Sequence, residues 1–218
     1  MKKLLSLAAA FLLCAGVQAQ IVSSRSVSIK SAQKQPSETQ WFLRGGLNVM
    51  KMTGDGAEDT AANSVTTCYG FQKPLGSVGT YWGMEFGLGS RGWKVEENES
   101  DYEYSLSLMA HNVQVSPFTF GYKYNITDAL AVDAHLGAYV SCDYVGKIKE
   151  KESYQGDSEE TSVNMGDWED WKRVDAGMNI GVGIWYDRFN LDFTYQRGFI
   201  KTWECNTSNV LIRLGVAF

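Results

Sequence analysis

From Asp175 to Gly198 the chain reads DAGMNIGVGIWYDRFNLDFTYQRG, and its apolar residues fall at every second position. Ala176, Met178, Ile180, Val182, Ile184 and Tyr186 form one row before Asp187-Arg188, and Phe189, Leu191, Phe193 and Tyr195 form another after it. The intervening row holds Asp175, Gly177, Asn179, Gly181 and Gly183, then Asn190, Asp192, Thr194 and Gln196. A period of two belongs to extended strands with two unlike faces, and two such runs joined by two residues read as a hairpin.

The alternation recurs along the chain, and no helical period is sustained. It predicts eight strands, near 40–52, 65–73, 79–93, 103–124, 129–146, 171–186, 189–200 and 208–218. The connections after the second, fourth and sixth are short (KPLGSVG, NITD, DR). Those after the first, third, fifth and seventh are long and polar, the third of them being GKIKEKESYQGDSEETSVNMGDWED. All short connections therefore lie at one end of an up-and-down antiparallel sheet, and all long ones at the other. The fourth strand is irregular. Tyr104, Leu106, Leu108 and Ala110 share one parity, Val113 and Val115 the other, and Phe118, Phe120, Tyr122 and Tyr124 return to the first, with Pro117 between. One or two bulges are expected there, since a bulge shifts parity and tolerates proline.

Alternation alone does not say which row faces in. Glycine is abundant in the polar row (Gly83, Gly87 and Gly89 beside Tyr81, Glu85 and Arg91; Gly137 beside Asp133, His135, Tyr139, Ser141 and Asp143). Glycine weakens a strand, so a solvent face has no use for it, whereas a narrow barrel lumen must economise on side-chain volume. Aromatic residues gather at both strand ends. Trp41, Phe71, Tyr122, Tyr124, Tyr186, Phe189 and Phe218 lie near the short turns, and Trp93, Tyr104, Tyr144, Trp168, Trp171, Phe199 and Trp203 near the long loops. Two aromatic girdles about an apolar band, on strands of at least the roughly 9–11 residues needed to cross a bilayer, predict an all-β, closed, up-and-down transmembrane β-barrel of about eight strands. Closure leaves no unpaired backbone edge in hydrocarbon. The competing architecture is a soluble calycin with the rows reversed.

The N-terminus places this barrel outside the cytoplasm. MKKLLSLAAAFLLCAGVQAQ has two lysines, an apolar run and a small-residue cleavage pattern, so residues 1–19 read as a signal peptide. Residues 20–39, rich in Ser, Gln and Lys, read as a flexible tail, and 40–218 as the barrel. A net charge of −5 argues against a nucleic-acid partner. Cys68, Cys142 and Cys205 remain after cleavage; one disulfide and three separate thiols are both compatible with that number, and no metal-ligand spacing accompanies them.

The segments WFLRGGLNV, GMEFGLGSRGWK, NVQVSPFTFGYKYNI, ALAVDAHLGAYV, NIGVGIWYDRFNLDFTYQRG and LIRLGVAF together resemble the PorT-like, or porin-family, outer-membrane β-barrels of Bacteroidetes, from Trp41 to Phe218. The resemblance implies a cell outer-membrane location and no defined chemistry. The terminal NVLIRLGVAF is similar to the closing strand by which outer-membrane barrels engage their assembly machinery.

Candidate chemistry sits in the polar row: Arg44, Arg91, Arg173 and Arg213 with Glu85, Asp133, Asp143, Asp175 and Asp192, and His135. The near balance of signs favours an ion-pair network filling a lumen only wide enough for side chains. A narrow gated channel is the transport alternative. A lipid-modifying hydrolase is the catalytic one, built from His111 or His135 with Ser105, Ser107 or Asp133, but no nucleophile-elbow motif accompanies these residues. The predicted loops are acidic, with Asp55, Glu58 and Asp59, then Glu96, Glu97, Glu99, Asp101 and Glu103, then Glu152, Asp157, Glu159, Glu160, Asp167 and Glu169. The reading is a non-enzymatic envelope protein with no cofactor and no metal. Its partners are outer-membrane lipid and lipopolysaccharide, the assembly machinery, and a surface protein or glycan met by the loops.

Overall fold

A computed structural model of the chain describes residues 38–54, 61–99, 102–154, 157–169 and 171–218, with the backbone alone at 98, 99, 154 and 157. The expected signal peptide, nearly all of the expected tail, and Asp55, Glu58, Asp59 and Asp101 lie outside the described residues. The strands are β1 (Gln40–Gly54), β2 (Ala62–Pro74), β3 (Thr80–Glu99), β4 (Tyr102–Asn125), β5 (Leu130–Tyr154), β6 (Asp157–Asn164), β7 (Val174–Tyr186), β8 (Phe189–Gly198) and β9 (Cys205–Ala217). Eight form a ring in the order β4-β3-β2-β1-β9-β8-β7-β5, closed by pairing of β4 with β5. Every pairing is antiparallel, including that of β1 with β9. The fold is a closed up-and-down antiparallel barrel.

The two rows of the opening hairpin separate cleanly. Along β7, Asp175, Gly177, Asn179, Gly181, Gly183 and Trp185 are buried, while Met178, Ile180, Val182, Ile184 and Tyr186 are exposed. Ile180 is 61% exposed and the adjacent Asn179 only 7%, so the apolar row is the outer surface and the polar row the interior. The interior glycines answer to crowding: a Cβ on Gly181 would collide with the imidazole of His135, and one on Gly183 with the carboxylate of Asp133.

β4 carries the expected bulge. Between Thr119 and Ser116 it takes three steps where β3, from Gly83 to Glu85, takes two, so Pro117 occupies the extra position. A second register shift lies opposite His111 and Asn112, where the additional residue is Tyr144 of β5. The parity of β4 does not change between Ala110 and Val113, however. Leu108 and Ala110 are fully buried and belong to the inward row with Asn112.

The second and third outer connections differ from the expected loops. β3 runs on to Glu99 and β4 starts at Tyr102, while β5 continues to Tyr154 and turns into β6, which pairs with β5 alone. β3 to β6 thus extend the barrel wall outward as a sheet. KIKEKE alternates as strictly as any membrane strand, but its charges conceal the period from an apolar-residue count. The short 3-10 turn Met165–Asp167 then leads back toward β7.

Candidate functional site: the lumen and its outer mouth

β1, β3, β5, β8 and β9 each turn charged side chains into the middle of the barrel. Arg44 Nη1 lies 2.9 Å from Glu85 Oε1 and 3.6 Å from Asp192 Oδ2. Arg213 reaches the same two carboxylates, with Nη2 2.6 Å from Asp192 Oδ1 and Nη1 3.1 Å from Glu85 Oε2. His135 Nδ1 is 2.9 Å from Asp133 Oδ1, which also accepts a 2.9 Å hydrogen bond from the Tyr81 hydroxyl. The Trp185 indole N–H donates to the other oxygen of Asp133. Lys123 Nζ lies 3.6 Å from the centre of a Trp185 ring and donates to Gln40. Three cations (Arg44, Arg213, Lys123) thus face three carboxylates (Glu85, Asp133, Asp192), the balance that burial of charge requires.

Nearer the outer end, Arg91 donates to Asp143 Oδ2 from Nε (2.9 Å) and Nη2 (2.6 Å), and the Trp171 indole N–H donates to the same oxygen at 2.9 Å. Asp175 accepts from the Tyr139 hydroxyl at 3.2 Å and from the backbone N–H of Ile200 at 3.3 Å. Little space remains between these groups. The region bounded by Arg44, Tyr81, Glu85 and His135 has no room for a water, and that bounded by Cys68, Glu85, Ser116 and Arg213 offers about 10 Å³. A single ordered water needs roughly 10–15 Å³.

Above the Arg91–Asp143 pair the interior becomes apolar. Met52, Leu108, Ala110, Met165, Trp171 and Cys205 form a buried cluster, with Trp93, Ile148 and Trp168 packed against it. Trp168 and Trp171 meet edge-on at 4.9 Å, and Trp203 stands 5.0 Å from Trp171 with its indole N–H on the Glu169 carbonyl at 2.9 Å. Trp203 and Glu204 both adopt left-handed backbone, φ 50° and 62°, in the tight turn closed by Thr202 and Cys205. Such conformations cost non-glycine residues of order 1–3 kcal/mol each, which the cross-loop packing of Trp203 offsets. The segment after β6 and the turn before β9 together cap the outer mouth.

Several predicted site residues lie elsewhere than expected. Arg173 is exposed, because β7 begins only at Val174 and strand parity does not extend past the ladder; its carbonyl instead accepts the Asp143 N–H at 2.8 Å. Trp171 and Trp93 are not girdle residues. Trp171 is 9% exposed inside the cap, and Trp93 shares the inward parity of Arg91 two positions before it. Tyr104 stands on the inward side of the extended sheet and donates to Glu150 Oε1 at 3.1 Å. Desolvation, that hydrogen bond and the charge of Glu150 raise its phenol above the ordinary tyrosine range. The remaining girdle positions, Trp203 apart, lie on the outer surface. Trp41 stacks on Tyr69 at 5.4 Å and meets Phe71 at 5.1 Å; Tyr122, Tyr124, Tyr186, Phe189 and Phe218 are exposed at the same end and Tyr144 at the other, whereas Trp203, expected in the outer girdle, packs into the cap against Trp171. Tyr81 lies in the inward row as its parity predicts; Lys123 and Trp185 join the lumen as well, on the rows of Gly121 and Gly183.

No disulfide joins Cys68, Cys142 and Cys205, and among the described residues no group of three or more His, Cys, Asp or Glu is placed to hold a metal ion. Among the described residues Ser105 and Ser107 make no hydrogen bond with a histidine, whereas Ser90 Oγ lies 2.8 Å from His111 Nδ1. Ser90 is only 1% exposed, so its hydroxyl is not presented to a substrate.

Comparison with known proteins agrees with this architecture. The family model for the outer membrane protein beta-barrel domain matches residues 29–204. Among solved structures, the Yersinia pestis attachment invasion locus protein Ail, crystallised with the heparin analogue sucrose octasulfate, has 17% identity over 83% of this chain and 99% of its own, with a TM-score of 0.48. Neisserial surface protein A has 12% identity over 82% and 97%, TM-score 0.41. The N-terminal barrel of Pseudomonas aeruginosa OprF has 9% over 84% and 100%, TM-score 0.40. No curated protein matches the chain. At these identities the likenesses concern fold alone.

Proposed function

Since the chain belongs to the outer membrane protein beta-barrel domain family, and so is an outer-membrane barrel, we propose that it is a non-conducting, non-enzymatic surface protein that acts through its outer end. The observation carrying this reading is the filled lumen beneath an apolar cap. Ions would have to pass the Trp171 layer and then the Arg44–Glu85–Arg213–Asp192 cluster, which leaves room for no more than about one water at the points described above. What remains available to partners is the extended sheet of β3 to β6 and the capped mouth. Along β5 charge is sorted by face, with Glu96 and Glu160 of the neighbouring strands set among the lysines. Lys147, Lys149 and Lys151 point to one side of β5, and Glu150 and Glu152 to the other, next to Glu97 and Glu159 through the row Glu97–Tyr104–Glu152–Glu159. A charged, two-sided platform of this kind suits a surface protein or glycan partner. Narrower kinship with the PorT-like barrels of Bacteroidetes, and engagement of the assembly machinery by β9, belong to the same proposal.

The test is planar-bilayer recording of the refolded chain. No unitary conductance is expected across either polarity; steady single-channel steps from the wild-type protein would overturn the reading in favour of a narrow porin.

A further inference from the structure

Among the described residues, the seam between β2 and β3 stops short of its neighbours. The β2–β3 ladder ends at Thr67–Leu88, while β1–β2 continues to Met50–Ala62 and β3–β4 to Glu99–Tyr102. Carbonyls that β2 would otherwise bond are satisfied by side chains: Leu88 O accepts from Thr66 Oγ1 at 3.0 Å, and Ser90 O from Asn48 Nδ2 at 2.7 Å and Asn209 Nδ2 at 3.3 Å. Unsatisfied backbone in hydrocarbon costs several kcal/mol per group, so these side chains let the seam stand open within a membrane wall.

On the outer surface at the foot of this seam lies an apolar groove of about 410 Å³, within the range of roughly 300–1,000 Å³ found for small-ligand sites. Its walls are Leu43, Tyr69, Phe86, Leu88, Val113 and Val115. The groove is continuous with the exposed apolar belt, which an outer-membrane barrel turns to lipid. Toward the outer end, the rows on the same strands change polarity in steps. The Leu88–Val113 row is followed by Ser90–His111, then by Met109–Lys147, then by Lys94–Ser107–Lys149. Lys94 and Lys149 are engaged only in exposed pairs with Glu96 and Glu160, and such pairs contribute about 0–1 kcal/mol. Apolar groove, polar step and lysine row follow the order of chain, linkage and phosphate in an outer-leaflet lipid.

We propose that this face of β2 to β5 is a binding site for one phosphorylated outer-leaflet lipid, lipid A, with an acyl chain in the groove and a phosphate at Lys147 and Lys149. The site rests on the outer-membrane location and not on the non-conducting reading, and a conductance result leaves it untouched.

The experiment is native mass spectrometry of the micelle-solubilised full barrel titrated with diphosphoryl lipid A, with enzymatically dephosphorylated lipid A as the comparison. Each variant is first checked for folding by the mobility difference between heated and unheated gel samples. Leu88→Trp fills the groove from a lipid-facing position. Val113→Phe does so more gently if the first variant fails to fold, and Ile180→Trp makes the equivalent change on another part of the belt. One lipid A is expected to remain bound to the wild type and to Ile180→Trp, with retention reduced about tenfold in the groove variant. Retention should fall about fivefold for each lysine lost in Lys147→Gln and Lys149→Gln, about thirtyfold for both. Equal retention in the groove variant and Ile180→Trp, or equal binding of the dephosphorylated lipid, would overturn the proposal.

Discussion

Replacing Asp192 by Asn removes one charge from the centre of the barrel and almost no volume. Asp192 is fully buried, takes Arg213 Nε at 2.8 Å and Nη2 at 2.6 Å, accepts the Thr194 hydroxyl at 3.0 Å, and stands 3.6 Å from both Arg44 Nη1 and His135 Nε2. In the variant, Arg44 and Arg213 share Glu85 alone, so one guanidinium loses its counter-charge where water cannot replace it. Breaking a buried pair from one side costs about 3–5 kcal/mol, roughly two to four powers of ten in the unfolding equilibrium. Against a typical stability of about 5–15 kcal/mol that is a large fraction. Urea unfolding of the refolded barrel in lipid vesicles, followed by tryptophan fluorescence, measures the loss. The double variant Asp192→Leu/Arg213→Met deletes both charges and should recover most of the stability, because Arg44 and Glu85 still pair. A loss below about 1 kcal/mol in Asp192→Asn would mean that water screens the cluster. The lumen would then not be closed, and the argument for a non-conducting barrel would fail with it.

Other positions separate the remaining claims. Ile180→Arg, in mid-strand on the lipid face, should destabilise the inserted barrel by about 2–4 kcal/mol, and Tyr186→Arg at the short-turn end by about 0–1 kcal/mol; equal effects in a vesicle unfolding titration would mean that the surface is not read by lipid depth. Trp171→Ala removes the indole that seals the cap and bonds Asp143, so it should raise outer-end hydrogen exchange and leave mid-barrel amides protected; an exchange map identical to wild type would remove the cap from the account. Folding of the chain from residue 20 onward should need detergent or lipid, and circular dichroism showing the same strand content in plain buffer would reverse the two faces.

The ring of eight strands and the sign of its faces were legible because a membrane barrel imposes the same two-residue rule on every strand, with glycine marking the crowded side. What was not legible follows from where that rule stops. Arg173 has the parity of Asp175 but precedes the first ladder pair, so nothing holds it to the inward row. Trp93 carries the opposite lesson. Its parity with Arg91 already placed it inside, and its residue type alone suggested a girdle. Leu106, Leu108 and Ala110 looked like lipid-facing residues because they are apolar, yet here the lumen itself becomes apolar beneath the cap. Residue type tracks the medium that a face meets, and parity tracks the face; the two disagree wherever the medium changes along the strand.

β5 shows the change most clearly. From Val132 to Val140 its aliphatic residues point out and its polar residues in, as lipid outside and an ionic lumen require. Past the bulge at Tyr144 the same strand continues as KIKEKE, and Ile148 now faces inward to the cap while Lys147, Lys149 and Lys151 face outward. The alternation slips once, at the bulge, and resumes with its sign reversed. Lysines on the outward row are costly at mid-membrane depth, and so the reversal itself locates the plane where hydrocarbon gives way to head groups, between Val140 and Lys147. Tyr144 and Val145, both exposed, occupy that interval, and an interfacial tyrosine there is what the depth profile calls for. The outward sheet is therefore not a loop that happens to be ordered. It is the membrane strand carried on into water, with its side chains exchanged for those that water and charged partners favour.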